Sequence, residues 1–525
     1  MILRRMALAA VMVAMLATSA VDAKTLRWAF QGDAQGLDPY VLNETFTLGF
    51  LGNVYEGLIR RDPNLEIEPA LAERWEALEP TRWRFYLRQG VKFHNGNDFN
   101  ADDVVFSADR VRAAGSDLKT RIGSDVKVVK VDDYTVDFIS PAPNPILHSE
   151  WGTWFIMDKE WTEAHNAVRP ASVTAGTENY ANFHSNGTGP FMVVERETDV
   201  RTVLKPNPGW WDKPKHNLTE VVMTPINSDA TRVAALLSGQ VDMAYPVPVQ
   251  DIGRVQANDG TSVLMGPELR TIFLGFDQGR DELLEADVQE QNPFRDQRVR
   301  AALYRAIDVE AIRSKVMRNL ATPSALMISP TLFARSGEFE RHAYDPETAK
   351  QLLADAGYPE GFEVGMDCPN NRYVNDERIC IAISAMLARI GIRVKLLTQP
   401  KALFFKKILG PAYQTSFYLL GWTPGSFDSW NVLYNLIHCQ EADGAGKFNL
   451  GNYCNPAVDA LTAKILVETD AATRDAMIAE AYRMVHDDFA YIPLHQQGLA
   501  WGKSDRVDLM QRPDNQFMLY YVNIQ

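Results

Sequence analysis

The sequence predicts an α/β protein, and three observations carry that prediction. Thr25-Leu26-Arg27-Trp28-Ala29-Phe30 alternates as a strand does and runs into the turn residues Gly32 and Asp33. Short strand-like and helix-like segments then alternate to the end of the 525-residue chain. No repeat of solenoid period and no low-complexity tract interrupts them. At ~150 residues per unit, this length holds about three globular units.

Residues 1–23 are set apart from that fold. Arg4 and Arg5 precede an apolar run of 12 residues, Met6 to Ala17, which is too short to cross a bilayer core of ~30 Å as a helix. Val21-Asp22-Ala23 has the small-x-small pattern of a cleavage site, so the segment reads as an export signal removed after Ala23, with Lys24 opening the mature chain.

Several helices follow from their end signals. Asn100 with Asp103 three residues later is a capping-box pattern before Val104-Val105-Phe106, which makes Asp102 and Asp103 helix-start residues rather than metal ligands. A unit starting at Asp229 runs through Val233, Leu236 and Leu237 to Gly239 and hands over to the apolar stretch 241–245. Between Arg295 and Asp308 the residues Val299, Ala302, Leu303, Ala306 and Ile307 form one helical stripe; Arg298, Arg300 and Arg305 fall off it and read as a solvated face. Asp345-Pro346-Glu347 supplies an N-cap, a proline at the first helical position and an acid in the first turn, and Gly357 closes that helix.

Composition and charge narrow the function. With 46% apolar and 23% charged residues the chain is ordinary globular material, neither disordered nor fibrous. Its net charge of −14 argues against nucleic acid or anionic membrane as the main partner. The 11 Trp, 18 Tyr and 24 Phe could serve a large core or an organic ligand. The four cysteines are too few for a disulfide-built scaffold. In an oxidising compartment local pairing is the simplest connectivity, so Cys368–Cys380 and Cys439–Cys454 are expected as bridges of ~3 kcal/mol each. Neither pair has the close spacing of a zinc site. The chain lacks H-E-x-x-H, G-x-S-x-G, P-loop and G-x-G-x-x-G motifs, and its nine histidines show no metal-ligand spacing. His495, beside Pro493-Leu494 and two glutamines, reads as a core or rim histidine. No cofactor, metal or catalytic residue is expected.

A colinear set of segments resembles the family 5 extracellular solute-binding proteins, the dipeptide- and oligopeptide-binding receptors of ABC importers. The most telling are Ala70-Leu71-Ala72-Glu73-Arg74-Trp75-Glu76, the run Trp83 to Gly96, and Asn100-Ala101-Asp102-Asp103-Val104-Val105-Phe106-Ser107. Tyr55-Glu56-Gly57-Leu58, Gly187-Thr188-Gly189-Pro190-Phe191, Asn207-Pro208-Gly209-Trp210-Trp211, 236–242, 298–303 and Tyr344-Asp345-Pro346 follow in the family's order. The resemblance covers essentially all of residues 24–525. It implies a two-lobed α/β clamp of the type II periplasmic-binding-protein kind with an additional third domain. On that mapping 24–60, 186–275 and 496–525 form lobe I, 61–185 the additional domain II, and 276–495 lobe III, with a terminal strand near Phe517 to Val522 returning to lobe I.

The resemblance also implies ligand residues. In dipeptide-binding members an arginine in a segment like Pro369-Asn370-Asn371-Arg372-Tyr373-Val374-Asn375 receives the peptide carboxylate, and Arg372 matches that place; a guanidinium grips a carboxylate with two parallel hydrogen bonds. The peptide amine is met in the family by an aspartate soon after a Gly-Trp pair. Here the run is Gly421-Trp422-Thr423-Pro424-Gly425-Ser426-Phe427-Asp428, so Gly425 stands in the aspartate's place. Asp428 could supply the carboxylate from three residues later, or could equally cap a helix starting at Ser429 or Trp430. Trp422, Phe46 and Trp151 are candidates for apolar cleft walls, each with a core position as the alternative.

The function so implied is a periplasmic receptor that binds a small peptide between two lobes and presents it, as a monomer, to an inner-membrane permease and its ATPase. Other ligands known in the family, namely glutathione, opines, nickel complexes, haem and oligosaccharides, stay open at this point. A secreted hydrolase and an export-compartment chaperone or sensor are the rivals from other classes.

Overall fold

A computed structural model describes residues 24–172, 176–409, 413–441 and 444–525. The expected export signal and its cleavage point after Ala23 lie outside the described residues. Among these residues no helix is long and apolar enough to cross a membrane.

The backbone is organised on one 11-stranded mixed sheet. Thr25–Phe30 is the strand its alternation predicts, with Leu26 and Trp28 buried, and it pairs in parallel with both Glu220–Pro225 and Met243–Tyr245. At the far end Glu363–Pro369, the helix Asp376–Ala388 and Arg393–Gln399 form a parallel βαβ unit, bordered by Phe417–Trp422. Two long antiparallel strands, Thr261–Phe276 and Ile492–Ser504, join the two regions and carry the chain between them.

Those two strands also mark where the cores divide. One apolar core runs from Leu26 and Trp28 through Phe85 and Trp151 to Phe517, so the four-stranded sheet Ala72–Glu79, Arg82–Leu87, Thr135–Ile139 and Lys127–Asp132 shares its interior with the N-terminal strand. Arg110, paired with Asp38 in full burial, ties the same two parts together. The other half of the sheet is covered on both faces. Ile272, Leu274 and Phe276 point into one cluster and Phe273 into another, as strand alternation requires, which is why this strand reads as a continuous apolar run.

Two of the predicted helix starts hold in detail. Asn100 and Asp103 form a reciprocal capping box, with the Asp103 carboxylate accepting the Asn100 N–H at 2.9 Å. Asp345 caps Pro346–Asp355, and Gly357 follows with φ 96°. The helix expected from Asp229 is capped one residue earlier, by Ser228.

Two expectations are corrected. Arg300 is not on a solvated face of Gln297–Ala306: it is 4% exposed, and its guanidinium donates to the Asp488 carboxylate at 2.7 Å and to the carbonyls of Phe294 and Arg295 at 3.0 Å. A single apolar stripe misses an arginine whose head is buried because every donor finds an acceptor. Residues 517–522 do return to the N-terminal core, with Phe517 edge-on to Trp28 at 4.9 Å, but as a short 3₁₀ turn, Leu519–Tyr521, rather than a strand. The Asn53 side chain, accepting the Leu519 N–H at 2.8 Å and donating to the Phe517 carbonyl at 3.0 Å, supplies the pairing a neighbouring strand would otherwise give.

Candidate functional site

The ladder between the two long strands breaks where the halves meet. Pro267 pairs with Gly498, but the next pair is Thr271 with Gln496, so Glu268, Leu269 and Arg270 form a bulge. A bulge turns side chains away from the regular pleat. Here it brings Arg270 to the edge of a cavity of about 480 Å³ that Phe46, Tyr245, Arg372, Tyr373 and Trp501 help to line.

One wall of this cavity is the loop 370–375. It is held at both ends: Cys368, in the strand Glu363–Pro369, is bridged to Cys380, in the helix that follows, as the sequence led us to expect. The first helical residue, Asp376, accepts the backbone N–H groups of Arg372 and Tyr373 at 2.8 and 2.9 Å. Gln497 reaches across from the second long strand, accepting the Val374 N–H at 3.0 Å and donating to Glu268 at 2.5 Å. The backbone of Arg372 is therefore fixed. Among the described residues its guanidinium has no carboxylate partner, only the Tyr373 ring at 5.3 Å.

Arg270, 6% exposed, donates from Nε to the Thr423 hydroxyl at 3.2 Å and approaches Glu268 at 3.3 Å. Burial lowers its pKa; the Glu268 carboxylate acts against that shift, and the positive charge of Arg372 adds to it. Gly421 makes room for this arrangement. A Cβ there would lie 2.8 Å from the Tyr373 ring and 3.1 Å from Cδ of Arg270, and the Tyr373 hydroxyl donates to the Gly421 carbonyl at 3.3 Å.

The opposite wall is aromatic. Phe46 stacks on Phe30 at 3.7 Å; Phe30 lies 4.8 Å from Tyr245, and Tyr245 lies 4.9 Å from Trp501. Glu44 caps the short helix Thr45–Leu51 that presents Phe46, accepting the Thr47 N–H at 2.8 Å.

Of the residues singled out from the sequence, Arg372 and Phe46 line this cavity, and four are placed elsewhere. Asp428 is not free to meet an amine. It caps Ser429–Val432, accepting the Trp430 N–H at 2.8 Å, and takes both ends of the Arg474 guanidinium. Trp422 does not line the cavity; it donates its indole N–H to Asn431 at 3.0 Å and packs on Phe448 at 4.9 Å. Trp151 is fully buried, 4.4 Å from the Phe138 ring, with its N–H on the Arg121 carbonyl at 3.0 Å. Gly425 faces Arg121 so closely that a Cβ would sit 2.7 Å from Nη1. Beside it Phe427 lies under the Arg61 guanidinium at 4.3 Å. The loop 424–428 thus docks on Arg121 and Arg61. The second expected bridge, Cys439–Cys454, lies near Asp459 and away from this cavity, and His495 is a core residue, 1% exposed.

Arg270, Tyr373, Tyr245 and Trp501 were not found by reading the sequence. The one available signal was the pair Glu268 and Arg270 interrupting an otherwise apolar strand, a charge pattern that a regular strand would bury without reason.

Residues 66–444 match the model described as "Bacterial extracellular solute-binding proteins, family 5 Middle". The dipeptide-binding protein of Escherichia coli (strain K12) is 28% identical over 505 residues, covering 91% of this chain and 90% of its own. The heme-binding protein A of Haemophilus influenzae is 28% identical over 472 residues, covering 85% and 82%. Among solved structures, the periplasmic binding protein DppA of Helicobacter pylori in complex with the peptide STSA superposes with a TM-score of 0.81 at 24% identity, covering 96% of this chain and 98% of its own, which supports the α/β clamp fold. With the fold, the cavity and a match over well over half of its length, this chain belongs to the bacterial extracellular solute-binding proteins, family 5.

Proposed function

We propose that the protein is the periplasmic receptor of an ABC importer and that it binds a short peptide between lobe I (24–60, 186–275, 496–525) and lobe III (276–495), with 61–185 as the additional domain. It is exported with cleavage after Ala23, acts as a monomer and delivers its ligand to a permease and ATPase without breaking a bond. The observation that carries this reading is the Arg372 guanidinium: fixed through its backbone, turned to the cavity and lacking a carboxylate partner among the described residues. A peptide carboxylate completes it with two charge-assisted hydrogen bonds. The aromatic wall and the loose polar lining accept varied side chains without selecting one. A named dipeptide-binding relative that aligns along nine-tenths of the chain supports the peptide class.

The test is calorimetric titration of dipeptides into the parent protein and Arg372→Ala. The parent binds, and the variant loses about a hundredfold in affinity. Equal affinity would remove Arg372 from the site. Incubating peptide with stoichiometric protein and recovering it intact separates a receptor from a hydrolase; turnover would overturn the receptor reading.

A further inference from the structure

Two guanidinium groups, not one, face the cavity. Arg270 comes from the bulge in the long strand and Arg372 from the bridged loop, and their guanidinium carbons lie 5.8 and 5.3 Å from the centroid of the same Tyr373 ring. Like charges gathered in a poorly solvated place are unfavourable unless an anion joins them. Glu268 offsets one of the two: it lies 3.3 Å from Arg270, and its other oxygen is taken by Gln497.

The remaining acids of the cavity wall are already occupied. Glu44 accepts the Thr47 N–H, Asp229 pairs with Arg232, Asp376 accepts the N–H groups of Arg372 and Tyr373, and Glu377 accepts the Thr398 hydroxyl at 2.9 Å. No carboxylate of the lining is therefore committed to Arg372, and Nη1 of Arg270 has no hydrogen bond among the described residues. Gly425, which the resemblance puts in the place of the amine-binding aspartate, faces Arg121 instead. The charge the site asks of its ligand is negative at the Arg270–Arg372 end.

We propose that Arg270 and Arg372 form a paired site for a ligand carrying two carboxylates at one end, of which a peptide ending in glutamate or aspartate is the simplest case. This rests on the peptide reading above for the class of ligand, and on the cavity alone for the two carboxylates. Each guanidinium fork is matched by one carboxylate, so the terminal carboxylate meets Arg372 and the side-chain carboxylate meets Arg270.

The experiment compares Ala-Glu with Ala-Gln, isosteric dipeptides that differ by one charge, by calorimetry. It uses the parent, Arg270→Gln, and the double variant Arg270→Gln/Glu268→Gln, which leaves no lone buried carboxylate. Glutarate and its monoamide are tested beside them by thermal shift. The parent is expected to prefer Ala-Glu by about tenfold or more, and both variants to hold a preference below about threefold. Equal affinity of the parent for the two peptides, or a preference that survives in the double variant, overturns the paired site while leaving the peptide reading intact. Should neither peptide bind, stabilisation of the parent but not the double variant by glutarate supports the paired site and removes the peptide reading. Should none of the four compounds raise the melting temperature or bind, both fall.

Discussion

The Asp428 carboxylate is held by Arg474 through two hydrogen bonds, 2.9 and 2.8 Å, while it also caps the turn that begins at Ser429. This double engagement makes it a structural residue. Asp428→Ala removes the cap and leaves Arg474, 13% exposed, without its carboxylate partner. We expect a loss of about 2–4 kcal/mol in unfolding free energy with ligand affinity changed by less than about threefold. Urea unfolding and calorimetry on the same sample check both halves, and a large affinity loss without destabilisation would contradict it.

Gly425→Asp introduces a carboxylate at the place where the sequence resemblance leads one to expect it. In this protein Arg121 stands 2.7 Å from the new Cβ, and the contacting atom is the movable end of a side chain. The introduced carboxylate is expected to pair with Arg121 rather than with a ligand amine. Stability should rise by about 1 kcal/mol, with no gain for a free dipeptide over its N-acetylated form. A gain specific to the free amine would show that the subsite is open.

The Cys368–Cys380 bridge spans the loop that carries Arg372. Replacing both cysteines by serine should lower stability by about 2–3 kcal/mol and weaken ligand binding as well, because Arg372 loses the anchor of its loop. The corresponding change at Cys439 and Cys454, away from the cavity, should lower stability alone. Denaturant titrations and binding isotherms on the two double variants distinguish these outcomes.

Glu150 sits against Arg121 and Arg61 beside the loop 424–428. Burial pushes its pKa up to about 7, against the pull of the Arg121 charge. A carboxyl whose pKa is raised in the folded protein holds its proton more tightly there than in the unfolded chain. Its cost is absent below about pH 4, grows between about pH 4 and 7, and is complete above that. Glu150→Gln should therefore stabilise the protein by about 1–3 kcal/mol at pH 8 and leave stability near pH 4 unchanged. Melting temperatures across that range test the sign, and stabilisation confined to acid pH would refute it.

Local chemistry made much of this protein legible in its residues. Asn100 and Asp103 lie three apart and cap one helix, Asp345 and Pro346 start another, and Thr25–Phe30 alternates because one strand must bury alternate side chains. The two disulfides could be paired because each closes a short loop in a compartment where thiols oxidise. The ordered family segments determined the clamp, since they are its scaffold, and they pointed to Arg372.

The candidate site was decided by contacts that no local pattern records. Arg270 meets Thr423 across 153 positions, and Gln497 meets Glu268 across 229. Both depend on a bulge where the two long strands lose register. Sequence spacing reports which residues share a helix face or a strand face, within a few positions of one another. Whether a charged side chain such as Asp428 is spent on a neighbour, or one such as Arg270 is turned toward a cavity, depends on which distant acceptor folding brings to it. That is fixed only when the strands are in place.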